Sequence, residues 1–140
     1  IVMNSGSYHS YAPVDSDDPE QQRRTVYRMN VNSGGNPLLD ALDCPVPSVK
    51  TPQRTTTTTP LQSLSLMNNP FVQRQARALA DRLTREAADS PSRVQLAFEL
   101  AFGRAARPEE LSSAVAMVDQ HGLETFCWAL FNASEFSYVY

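Results

Sequence analysis

The side chains able to do acid, base, nucleophilic or ligating chemistry are few and widely spaced. Asp15-Ser16-Asp17-Asp18 offers the oxygen donors that calcium takes, but a calcium-binding loop counted from Asp15 needs glycine sixth and glutamate twelfth. Glu20 and Val26 stand at those places, so the cluster reads as a solvated acidic loop. Of the two histidines, His121 precedes Gly122 at an expected helix C-terminus and takes a structural role there rather than a metal. His9, between Tyr8 and Tyr11, falls in a surface loop. Two cysteines are too few for a disulfide framework; a Cys44–Cys127 bridge and two buried free thiols both stand open.

Asp43 and Arg54 lie across a loop stiffened by Pro45, Pro47 and Pro52, and are expected to pair as a structural clamp. The threonines from Thr55 to Thr59 read as an extended connector ending in a helix cap. Asn132 and Glu135 are expected to satisfy free backbone groups at the end of the last helix. Arg23, Arg24 and Arg28 beside Tyr27 invite a comparison with nucleic-acid contacts. A net charge of -3 and the lack of any recognition motif argue against that partner. There is no Gly-x-Ser-x-Gly elbow and no phosphate-cradling or dinucleotide glycine pattern. No catalytic, cofactor-binding or metal-ligating set is assigned, and whether the chain belongs to an enzyme stays open.

The positioning elements are helical. The 140 residues are 41% hydrophobic, with the apolar ones concentrated after Leu61, which predicts a packed C-terminal half. No apolar run approaches the roughly 20 residues that span a bilayer. Lys50 is the single lysine among twelve basic residues, and a bias to arginine favours ordered ion pairs. The abrupt start Ile1-Val2-Met3 shows no leader and reads as the start of a fragment.

One device recurs along the chain. Asn36-Pro37, Thr59-Pro60, Asn69-Pro70 and Ser90-Pro91 each put a capping side chain before a proline, which is tolerated at the first helical position. Asn36, Thr59, Asn69 and Ser90 are therefore the expected caps, whereas Arg107 before Pro108 is a poor one. The expected helices are Pro37–Leu42, Pro60–Asn68, Pro70–Ala88, Pro91–Phe102, Pro108–Gln120 and Leu123–Ser134. Thr25–Val31 alternates like a short strand. Val72, Ala76, Leu79, Ala80, Leu83 and Ala87 form one apolar stripe; Phe126 to Phe131 have no polar face, so that helix should sit centrally. The fold class is mainly α. An irregular segment 1–22 precedes a single helical domain, 23–140, of about five to six helices, with a Pro/Thr-rich connector at 43–59.

These motifs carry a resemblance. Arg23-Arg24-Thr25-Val26-Tyr27-Arg28, Asn36-Pro37-Leu38-Leu39-Asp40, Asp43-Cys44-Pro45, Thr58-Thr59-Pro60-Leu61-Gln62-Ser63-Leu64 and Met67-Asn68-Asn69 run in order. Later come Ala97-Phe98, Ala101-Phe102-Gly103-Arg104, Glu110-Leu111 and the ending Leu130 to Val139. From about Glu20 to Tyr140 the chain resembles the C-terminal domain of unknown function of planctomycete cytochrome-c-associated surface proteins. The resemblance implies the end of a larger exported protein, in the periplasm or at the cell surface. A haem c domain would lie upstream, since this chain has no Cys-x-x-Cys-His of its own, and carbohydrate would be a partner only through the parent. Arg107 departs from the threonine cap that the resemblance leads one to expect.

Two functions follow as expectations. One is a non-catalytic helical module making structural or docking contacts with upstream domains of the same parent. The alternative is a share in an interdomain active site of a cell-envelope enzyme acting on polysaccharide or in redox chemistry.

Overall fold

The longest helix begins where local chemistry says it should. Asn69 is extended (φ -73°, ψ 124°) and its side chain accepts the N–H of Phe71 at 2.9 Å, while Pro70 fills the first turn. In this computed structural model, which describes Leu39, Ala41, Leu42 and residues 60–137, the chain is helical and the described residues contain no strand. It forms two compact units, Ile1–Ser65 and Leu66–Tyr140. The helices are α1 (Pro60–Asn68), α2 (Pro70–Glu86), α3 (Ser90–Phe102), α4 (Pro108–His121), α5 (Leu123–Phe131) and α6 (Ser134–Ser137). The expected strand at Thr25–Val31 lies outside the described residues. Of the expected helix at Pro37–Leu42, only Leu39, Ala41 and Leu42 are described, with the Leu42 N–H donating to the Leu39 carbonyl at 3.1 Å.

The second unit closes around α5. This helix packs most extensively on α2 and also meets α3, α4 and α6, the central position its lack of a polar face predicts. Its Phe126, Cys127 and Leu130 join Ala76, Ala80 and Leu83 of α2, Val94, Ala97 and Phe98 of α3, and Ala114 of α4 in one core. Four of these ten are alanines, so the helix backbones approach closely and small volume changes are felt. Phe98 bridges two neighbours, edge-on to Phe102 at 5.3 Å and stacked on Phe126 at 6.4 Å between centroids.

Four boundaries differ from expectation: α4 runs one residue further, to His121, and the other three differ for a local reason. α2 ends at Glu86 rather than Ala88, because Ala87 turns extended and the Arg93 guanidinium binds the carbonyls of Ala87 (3.0 Å) and Ala88 (3.1 Å). α3 starts at Ser90, and its cap is Asp89 rather than Ser90. The Asp89 carboxylate accepts the Ser92 N–H (3.2 Å) and hydroxyl (2.8 Å), which hold its pKa below the usual range. Ser90 instead donates to Asp119 at 3.4 Å.

The last helix breaks after Phe131 rather than running to Ser134. The Asn132 side-chain amide takes the Trp128 carbonyl at 2.8 Å, the acceptor that the Asn132 backbone N–H would use in a continuing helix. That N–H tightens onto Ala129 instead, at 3.1 Å, and α6 follows as a separate turn.

Candidate functional site

Two polar assemblies stand on this frame, one closed and one open. The closed one is centred on Arg104. Gly103 ends α3 in the left-handed region (φ 68°), which turns the chain and aims the next side chain back along the helix end. The Arg104 guanidinium then binds Glu110 of α4 through Nη1 and Nη2, both at 2.8 Å. It binds Glu135 of α6 through Nε and Nη2, at 2.6 and 2.8 Å, and the Ala105 carbonyl through Nη1 at 3.1 Å. A guanidinium has five N–H donors, and all five are used here. Its carbon stands 5.4 Å from the Phe98 ring centre and 5.7 Å from that of Phe102, so the aromatic core supports the charge from beneath.

The electrostatics follow from this geometry. Hydrogen bonds from Arg104, and then from the Arg107 N–H at 2.8 Å, hold the Glu110 carboxyl at a pKa of about 2. Arg104 also lowers the Glu135 carboxyl, and the two carboxylates, Glu135 foremost, raise Arg104. Because Glu110 sits at the third position of α4 and accepts the Arg107 N–H, it supplies half of a capping box. The weak cap expected at Arg107 is thus offset by its own helix. The assembly is a clasp, with no donor left for a ligand.

The open assembly is a depression of about 600 Å³ between α2 and the α4–α5 junction. Its walls include Gln73 and Arg77 from α2, His121 and Gly122 from the junction, and Glu124, Thr125 and Trp128 from α5. Arg77 reaches Glu124 through Nη2 (3.0 Å) and Nε (3.3 Å), and this contact raises the Arg77 pKa. Trp128 donates its indole N–H to the Met67 carbonyl at 3.1 Å, which fixes the ring in place. The Thr125 hydroxyl donates to the His121 carbonyl at 2.9 Å.

The expected site residues distribute as follows. Asp43, Arg54, Asn36 and Thr59 lie outside the described residues, as do His9, Asp15 to Asp18, Arg23, Arg24 and Arg28. Asn69 caps α2, and His121 closes α4. Asn132 does serve backbone groups, whereas Glu135 does not; it binds the Arg104 guanidinium. Cys127 is a free thiol, fully buried, with desolvation pushing its pKa up to about 12. Among the described residues, no three His, Cys, Asp or Glu side chains gather to hold a metal ion, and no helix is long and apolar enough to cross a membrane.

Comparison with known families adds one result. The family model of PSD1, described as a protein of unknown function (DUF1553), matches residues 2–118. The chain belongs to the DUF1553 family. The DUF1553 match takes in α1 to α3 and most of α4, so Arg104 and Glu110 of the clasp and Gln73 and Arg77 of the depression fall within it. It stops before α5, so the ending Leu130 to Val139 is not part of the match. No curated protein and no solved structure matches this DUF1553 chain.

In the sequence Arg104 stands inside the motif Ala101-Phe102-Gly103-Arg104 with no partner marked for it. The local signal was there: an arginine directly after a helix-ending glycine, with a glutamate at the third position of the next helix. The Arg77–Glu124 pair, 47 residues apart, carries no such signal.

Proposed function

We propose that the chain is a non-catalytic helical module of a larger exported, haem-linked protein, and that it makes structural or docking contacts with that protein's upstream domains. The observation that carries the reading is the outer face of α1. Leu61, Leu64 and Met67 recur at every third position and are 64%, 56% and 42% exposed. Such a row on one helix face suits a protein contact better than water. The closed Arg104 clasp and the buried Cys127 thiol agree with a structural role, since both spend reactive groups internally. The exported, haem-linked setting rests on the ordered motifs from Arg23 to Val139 and on their resemblance to surface proteins of that kind.

Amide exchange tests the reading. The N–H groups of α1 are compared in the 140-residue chain and in the complete parent protein. Strong additional protection of α1 in the parent, abolished by Leu61→Glu with Leu64→Glu, is the expected result. Equal exchange in both settings sinks it.

A further inference from the structure

We propose that the depression walled by Gln73, Arg77, His121, Glu124, Thr125 and Trp128 binds a neutral sugar unit. Its volume of about 600 Å³ falls in the ~300–1,000 Å³ range of small-molecule sites. The lining charge is balanced, and this selects the ligand class. Arg77 is neutralised by Glu124 at 3.0 Å, so a free anion meets a carboxylate and a free cation meets a guanidinium. A neutral polyol meets neither penalty.

Hydrogen-bonding capacity remains after the internal bonds are counted. Arg77 uses Nη2 and Nε and leaves Nη1 to donate. The Gln73 amide and the His121 ring have no protein partner among the described residues, and the Thr125 oxygen, having donated its proton, can still accept. These are planar or hydroxyl groups of both polarities, the complement of a ring carrying several hydroxyls. Trp128 supplies the remaining element. Its ring, held by the bond to the Met67 carbonyl, offers an amphipathic surface on which the C–H face of a sugar packs with little ordering cost. This site shares no side chain with the outer face of α1 and stands independently of the docking reading.

Trp128 is the single tryptophan, so its fluorescence reports the site directly. The 140-residue chain is titrated separately with maltotriose, cellotriose and tri-N-acetylchitotriose, and with inorganic phosphate. The expected result is a saturable emission change with at least one trisaccharide and none with phosphate. Gln73→Ala, on an exposed helix face, should weaken that response roughly tenfold, the size of one lost hydrogen bond, with an unchanged melting temperature. Arg77→Leu should do the same. The proposal fails if no trisaccharide gives a saturable change, if phosphate alone does, or if the Gln73→Ala response equals that of the unaltered chain.

Discussion

Arg104 and Glu110 face each other through two parallel hydrogen bonds of 2.8 Å, across the turn that joins α3 to α4. The adjacent edge of the same guanidinium, formed by Nε and Nη2, holds Glu135, 31 residues beyond Arg104. One planar group therefore fixes the short helix α6 to the α3–α4 corner. Phe136 adds to this by packing on Phe131 at 5.0 Å between ring centres.

The clasp depends on a fork and not merely on a positive charge. Arg104→Lys keeps the charge but replaces five fixed donors with a compact ammonium that cannot grip two carboxylates edge-on. Thermal unfolding followed by circular dichroism should show a melting temperature several degrees lower. Glu135→Gln should give a smaller loss, because Glu110 remains paired.

Acid should weaken the same contact in a defined window. The Glu110 carboxyl has a pKa of about 2 when folded, against 4.5 as the ordinary value. The unfolded chain thus takes up this proton first as pH falls. The contribution to stability is complete above about pH 4.5 and disappears on the way to about pH 2. Urea unfolding at stepped pH should show this loss, and Glu110→Gln should flatten that part of the profile while lowering stability at neutral pH.

Leu83 of α2 is fully buried in the core that α2 shares with α3, α4 and α5, whose alanines cannot swing in to fill a void. Leu83→Ala should cost about 2–5 kcal/mol in chemical unfolding, near the upper end if the surrounding backbones stay put.

The Cys127 thiol should be inert while the protein is folded. In a Cys44→Ser background, an aromatic disulfide reagent at pH 8 should react at a rate set by unfolding, and at the full rate in denaturant, because a thiol with a pKa near 12 supplies almost no thiolate.

Gly103 tests the turn that aims Arg104. A side chain there meets no atom within 4 Å, so the cost of Gly103→Ala is conformational, about 1–2 kcal/mol for the left-handed backbone. Gly103→Asn should lose less, since asparagine tolerates that region. Comparing the two variants by urea unfolding checks the order.

The helices were legible in the sequence because their starts are local. For α2 and α3, a proline in the first turn and an Asn or Asp ahead of it sit within three residues of one another. At Ser90-Pro91 the same locality misled by one position: Asp89 and Ser90 are both capping residues, and proline is accepted at the second helical position as well as the first. The central place of α5 was readable because Phe126 to Phe131 leave no side for water. Partnerships were not readable in the same way. Glu124 and Glu135 are ordinary surface residues until folding brings Arg77 and Arg104 within 3.3 Å of them, and no spacing rule joins residues 47 or 31 apart. The break at Asn132 was hidden for another reason. An asparagine that steals the carbonyl of Trp128 looks, in sequence, like one that merely decorates a helix end.

Gly122 is the whole connection between α4 and α5: the first ends at His121 and the second starts at Leu123. Its φ of 85° and ψ of 159° lie where essentially only glycine goes, although a Cβ there would meet nothing. The aperture beside Trp128 therefore turns on a one-residue joint whose backbone angles suit glycine and strain any other residue. Substituting alanine at that joint would change the angle between His121 and Glu124, and with it the width of the opening, while leaving every lining side chain chemically intact.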